Sequence, residues 1–180
     1  MKIFLIGFMG CGKSFIGKDL ADKLGFLFAD LDSLIVSNYS TTEGSSIAKI
    51  FDNEGETYFR KLESDTLRGV GKWSNLVVAT GGGAACFHEN MAWMNENGVT
   101  IYLKTSPQLL VQRLKNETEK RPLLRGKSDE ELLEFIEKKV KEREPFYDQA
   151  NIIISQETND ENLIFEILEK ILLHKKKNDE

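Results

Sequence analysis

The run Gly7-Phe8-Met9-Gly10-Cys11-Gly12-Lys13-Ser14 satisfies G-x-x-x-x-G-K-[ST], the spacing of a phosphate-cradling loop. Its glycines let backbone N–H groups face a β-phosphate without side-chain obstruction, and a helix N-terminus behind them adds a positive end. Lys13 is then placed to reach the β- and γ-phosphates of a nucleotide, and the Ser14 hydroxyl to coordinate Mg²⁺. The bland alternative is a glycine-rich turn with no ligand. Against it stands the setting, an apolar strand-like run before the loop and an amphipathic segment after it.

A nucleotide loop leaves the phosphoryl acceptor open, so other polar residues carry the next step. Asp30 and Asp32 stand two apart at the end of a strand-like run, where side chains of one strand face would overlook a ligand crevice. One can serve the metal through water while the other takes an acceptor hydroxyl proton; the alternative is an N-cap for a helix starting near Ser33. Arg60 and Glu63 are helical neighbours within Gly55-Glu56-Thr57-Tyr58-Phe59-Arg60-Lys61-Leu62-Glu63. They make either an ordinary surface ion pair or a guanidinium held steady for an anionic acceptor. Gly81-Gly82-Gly83 is either a sharp turn or a place where backbone comes close to a ligand. Lys120-Arg121-Pro122-Leu123-Leu124-Arg125 lies in a polar loop, and Arg143 opens Arg143-Glu144-Pro145-Phe146-Tyr147. A loop arginine folded over a γ-phosphate offsets developing charge and excludes water, although a single such arginine is more often plain surface.

These residues need a scaffold. Apolar runs at 2–6, 26–29, 76–79, 99–103 and 152–154 read as buried parallel strands, separated by helical patterns. Helix starts are signalled by Ser106-Pro107, by Ser128 with Glu131 and by Thr158 with Glu161. Strands alternating with helices imply an α/β fold with right-handed crossovers and a parallel sheet covered on both faces. Residues 33–71, nearly all helical by pattern, and the polar stretch 116–127 exceed a minimal alternation, and the final KKKNDE reads as frayed.

With 180 residues the chain is expected to form one domain. Its net charge of −5 opposes general nucleic-acid binding, and no apolar run approaches a membrane span. Two cysteines, Cys11 and Cys86, with no CxxC pair, point to the cytoplasm rather than to a disulfide or zinc framework. Cys11, inside the phosphate loop beside Lys13, is expected either to show a modest, ADP-protected alkylation sensitivity or to be an inert packed residue. His88 is read as a surface helix cap rather than a catalyst. No guanine-reading NKxD occurs, which disfavours a nucleotide-dependent switch.

In order and approximate spacing, the phosphate loop, Asp-x-Asp, G-E-x-x-F-R-x-x-E, Gly-Gly-Gly, R-P-L-L and R-x-P-x-Y resemble the motifs of shikimate kinases over about residues 2–154. Kinases of gluconate or of nucleoside monophosphates share the loop but not the GExxFRxxE and RPLL combination. The resemblance implies a three-layer α/β/α fold on a five-stranded parallel sheet, like the P-loop nucleoside-monophosphate kinases. The implied unit is a single kinase domain over 1–180, with an acceptor-binding insertion at about 33–71 and a lid at about 114–127. The implied reaction is Mg²⁺-dependent transfer from ATP to the 3-hydroxyl of shikimate, giving ADP and shikimate 3-phosphate, by an expected monomer. Under the same resemblance Lys13, Asp32 and Arg121 are catalytic, and Ser14 and Asp30, the latter through water, hold the metal. Gly10, Cys11, Gly12, Lys13, Ser14, Phe15, Arg113 and Arg121 bind the nucleotide. Asp32, Arg60, Gly81, Gly82, Gly83 and Arg143 bind shikimate, with Glu63 positioning Arg60.

Overall fold

The computed structural model describes residues 1–39, 45–115, 124, 126–157 and 162–178. Five strands, β1 (Lys2–Ile6), β2 (Leu27–Asp30), β3 (Leu76–Ala79), β4 (Val99–Thr105) and β5 (Ile152–Gln156), form one sheet in the order β2-β3-β1-β4-β5. Every pairing is parallel, with Phe4 opposite Val78 on one side of β1 and opposite Thr100 on the other. The helices are α1 (Lys13–Leu24), α2 (Leu31–Tyr39), α3 (Ile47–Gly69), α4 (Asn90–Asn97), α5 (Pro107–Leu114), α6 (Asp129–Tyr147) and α7 (Leu163–Asn178).

Strand periodicity divides the core into two halves. Ile3 and Leu5 of β1 pack with Leu20 of α1, Leu110 and Leu114 of α5, Ile136 of α6 and Ile167 of α7. Phe4 and Ile6, one residue out of phase, pack on the opposite face with Ile35 of α2, Phe59 and Leu67 of α3 and Met94 of α4. Both faces of β1 are thus dry, which is why its sequence is a continuous apolar run rather than an alternation.

Two capping expectations hold. Ser106 Oγ accepts from the Leu109 N–H at 3.4 Å, and Ser128 and Glu131 form a reciprocal capping box at 3.2 and 2.9 Å. Thr158 and Glu161 lie outside the described residues. Two expectations are corrected. The residue preceding α4 is Glu89 and it makes no side-chain cap, so His88 caps nothing; its carbonyl instead accepts from Arg68. The lysines of the C-terminal KKK continue α7, where cations near the helix's negative end are favourable. Among the described residues no helix is long and apolar enough to cross a membrane.

Candidate active site

The C-terminal ends of β1, β2 and β3 bring the loops after β1 and β3 and the start of α2 to one end of the sheet. Between them lies a cavity of about 480 Å³ lined by Gly10, Gly12, Lys13, Ser14, Phe15, Asp30, Asp32, Thr80, Gly81, Gly82 and Arg113, among others. After β1 the chain turns into α1 through Gly10 (φ 81°) and Gly12 (φ 95°), left-handed backbone that a side-chain-bearing residue adopts only at a cost. The Lys13 side chain is 8% exposed and lies along the loop, its Nζ donating to the carbonyls of Gly7 at 2.8 Å and Phe8 at 2.9 Å. Its ammonium is therefore held within the curl of the loop, where an anion would meet it together with the α1 N-terminus.

Cys11 is fully buried in the core, with Lys13 Nζ 3.5 Å from its sulfur. A thiol with no exposed surface does not meet an alkylating reagent, so of the two readings of Cys11 the packed residue is the one the structure supports. The loop is braced from behind by Arg113, which donates to the Gly10 carbonyl at 3.4 Å and to Gln156 Oε1 at 3.2 Å. The 2% exposed Gln156 in turn reaches the Cys11 carbonyl at 3.5 Å. Burial lowers the pKa of the Arg113 guanidinium. Phe15 stands at the rim, 82% exposed.

The Asp30 and Asp32 geometry departs from expectation. They do not share a strand face, because β2 ends at Asp30 and α2 begins at Leu31. Helix propagation takes over as soon as Asp30 caps it: Oδ1 accepts from the Ser33 N–H at 3.2 Å, while Oδ2 accepts from the Ser14 hydroxyl at 2.6 Å. Asp30 thus caps α2 with one oxygen and meets Ser14 at the cavity wall with the other. A hydroxyl and a carboxylate meeting at the mouth of the phosphate loop are hard oxygen donors, a set that suits Mg²⁺ supplemented by water and phosphate oxygens. Asp32, in the first turn of α2, lines the same cavity farther along.

Arg60 lies on α3, beyond the break at Gly55 (φ 80°, ψ 172°). It is gripped on several sides. Nη1 donates to Glu63 Oε2 at 2.9 Å, Nε and Nη2 donate to Glu56 Oε1 at 3.2 Å, and the Phe87 ring lies 4.4 Å from the guanidinium. Glu63 is 1% exposed, which removes the surface ion pair from consideration. Its other oxygen, Oε1, has no hydrogen-bond partner among the described residues. Burial raises the Glu63 pKa, Arg60 and Arg143 lower it, and the Asp32 charge adds to the rise.

The three glycines after β3 admit side chains as much as ligands. A Cβ on Gly81 would sit 2.7 Å from Glu63 Oε1 and 3.0 Å from Asp32 Oδ1, and one on Gly83 would sit 2.8 Å from Arg60 Nη1. Gly82 is held from α6, where Arg143 Nη1 donates to its carbonyl at 3.1 Å and the buried Tyr147 hydroxyl donates to the same oxygen. Tyr147 was quoted in the sequence only as part of a motif; its hydroxyl grip on Gly82 had no local signal, because the partners are 65 positions apart. Burial raises the Tyr147 pKa, keeping the phenol a donor. Asp32, Arg60, Glu63 and Arg143 thus surround the glycine turn. Arg121 lies outside the described residues, as do 116–123 and 125 of the expected lid; Leu124 is buried in the core.

A phosphate loop with a metal-suited hydroxyl–carboxylate pair and an aspartate lining one cavity, on a five-stranded parallel α/β sheet, is the arrangement of a P-loop kinase. The family model for shikimate kinase matches residues 9–172. A shikimate kinase of Bacteroides fragilis is 44% identical over 153 residues, 85% of this chain and 83% of the relative. One of Persephonella marina is 46% identical over 156 residues, 87% of this chain and 89% of the relative. The crystal structure of the Bacteroides thetaiotaomicron shikimate kinase superposes with a TM-score of 0.86 at 39% identity, covering 96% of this chain and 98% of that one. The Acinetobacter baumannii shikimate kinase in complex with shikimate gives 0.82 at 36% identity, covering 97% and 94%. The chain belongs to the shikimate kinase family. It is an ATP:shikimate 3-phosphotransferase that uses Mg²⁺ with its nucleotide.

Proposed function

We propose that this chain phosphorylates the 3-hydroxyl of shikimate by dividing the work between two pre-built halves of one cleft. The observation that supports the division is that Lys13, Ser14, Asp30, Asp32, Gly81 and Gly82 line one cavity, while Glu63, Arg60 and Arg143 crowd Gly81, Gly83 and Gly82 of the turn beside it. In the first half, loop N–H groups and Lys13 bind the β- and γ-phosphates of ATP, and Arg113 and Phe15 stand toward the rest of the nucleotide. Ser14 and Asp30 hold Mg²⁺, Asp30 through water; when bound, the ion offsets charge on the β- and γ-phosphates.

In the second half, Arg60 and Arg143 take the shikimate carboxylate, with the Gly82 and Gly83 backbone beside it. Glu63 fixes the Arg60 fork. Asp32 accepts the proton of the attacking hydroxyl and aims its oxygen in line with the γ-phosphorus. Arg121 is assigned to the transferring phosphoryl group on sequence alone, 114–127 to a lid, and 33–71 to the acceptor-binding insertion. Cysteine content favours the cytoplasm and net charge disfavours a nucleic-acid partner; a monomer is assigned on the resemblance alone. The test is ADP release measured with and without shikimate: strong stimulation supports the reading, and none would sink it.

A further inference from the structure

Asn90 is the first residue of α4 and is completely buried, yet it belongs to neither half of the cleft. Its amide lies between two elements that do. Nδ2 donates to the Ala84 carbonyl at 2.9 Å, immediately after the glycine turn. Oδ1 accepts from the Ser64 hydroxyl at 3.0 Å and from Arg68 Nη1 at 2.6 Å, both on α3. Arg68 Nη2 reaches on to the His88 carbonyl at 2.8 Å.

The orientation of this amide is forced. A guanidinium offers only donors and a carbonyl only acceptors, so a side chain joining them must accept on one end and donate on the other. An ionised Asp cannot donate to Ala84, Leu can do neither, and Asn does both within a short reach. The His88 and Glu89 backbone spanned by the network is left-handed at two successive non-glycine residues (φ 50° and 56°), a conformation that surrounding contacts must over-determine.

The α3 residues involved are not random. Arg60, Ser64 and Arg68 recur every four positions and so share one helix face, with Glu63 beside them. That face runs along the 81–90 segment. Arg60 lies against Gly83, Glu63 against Gly81, and Ser64 with Arg68 against Asn90. From the other side, α6 holds Gly82 through Arg143 and Tyr147. The turn is therefore pinned at Gly82 from α6 and at Ala84 from α3, and Asn90 is the α3 pin.

We propose that Asn90 is a positioning residue for the phosphoryl acceptor: it sets the distance between the glycine turn and Arg60, so that shikimate binding depends on it and nucleotide binding does not. The inference rests on the shikimate kinase reading above. The experiment measures KM for shikimate, KM for ATP, kcat and Tm for wild type, Asn90→Ala and Asn90→Asp. Asn90→Asp keeps the Arg68 and Ser64 contacts but sets an acceptor against the Ala84 carbonyl, so the comparison of shikimate KM with ATP KM, assayed well below Tm, separates positioning from stability.

Both variants are expected to lower Tm and to raise the shikimate KM about ten-fold at a temperature where they remain folded, with ATP KM within about two-fold of wild type. A wild-type shikimate KM in Asn90→Asp would overturn the proposal, as would a parallel rise in ATP KM. If Asn90→Ala does not fold, Ser64→Ala replaces it. That variant removes one donor and is expected to raise the shikimate KM about two- to three-fold alone, with no change overturning the proposal. Wild type without shikimate turnover would remove the reading and the proposal with it, whereas active wild type with unaffected variants would remove the proposal alone.

Discussion

The nucleotide half and the acceptor half of the cleft are built by opposite strategies. The first is built on one segment, Gly7 through Ser14, whose main cation, Lys13, is bonded to carbonyls five and six residues away, with Arg113 and Gln156 bracing it from 103 and 145 positions along the chain. The second is assembled. Asp32 comes from α2, Arg60 and Glu63 from α3, the glycine turn from the end of β3 and Arg143 from α6, and the Arg143–Gly82 contact spans 61 positions. A local cradle binds a group common to all nucleotides, whereas a site assembled from four elements can be shaped to one acceptor. The difference predicts that damage to one half should leave binding in the other nearly intact.

The largest effect is expected where the halves meet. Asp32→Asn removes the proposed proton acceptor without disturbing the phosphate loop, so kcat should fall about 10³-fold while ADP affinity, measured by calorimetry, stays near wild type. Loss of ADP binding as well would mean that the halves are not separable. Next, Arg60→Ala deletes the proposed charge-assisted contact to the shikimate carboxylate and leaves Glu63 buried beside Asp32. The shikimate KM should rise about 10²-fold with ATP KM little changed, and Tm should fall because a buried carboxylate has lost its partner.

A matched pair of glycine substitutions sharpens the contrast. In Gly83→Ala the new methyl would meet Arg60 at 2.8 Å, and in Gly10→Ala it would meet Leu114 at 2.8 Å on backbone at φ 81°. Gly83→Ala should cost about ten-fold in shikimate KM alone, and Gly10→Ala about ten-fold in ADP affinity alone. Steady-state kinetics and ADP titration on both variants check the crossover, and matching profiles would erase the distinction.

The smallest effect is a pH signature of Glu63. Burial raises its pKa, so the folded chain holds this proton more tightly than the unfolded chain does. The stability this group contributes is fullest below the ordinary glutamate value of about 4.3 and is lost as pH rises from there through the raised value. Urea midpoints measured across that interval should fall less steeply with pH in Glu63→Gln than in wild type. An unchanged slope would assign it to other groups.

How far each half could be read in the sequence follows from the same difference. The phosphate loop was legible because its chemistry and its geometry occupy one short segment. Strand positions were legible too, since a doubly covered parallel sheet leaves unbroken apolar runs; β2 was displaced by one residue and β4 and β5 ran two residues longer. The placement of Asp30 and Asp32 on one strand face failed because a cap at Asp30 starts α2 at once, and capping competes with strand extension at that residue. Arg60 with Glu63 was ambiguous in sequence, where spacing reveals a pair but not its burial.

What the sequence determined by itself is the set of reactive groups, their order and the α/β scaffold, because residue type and hydrophobic period are local properties. Only the tertiary structure decided that Glu63 is dry, that Cys11 is sealed, that Tyr147 and Arg143 share one carbonyl, and that Asn90 ties α3 to the glycine turn. Each of these depends on groups distant in the chain being excluded from water together, and burial is a property of the packed chain rather than of any residue in it.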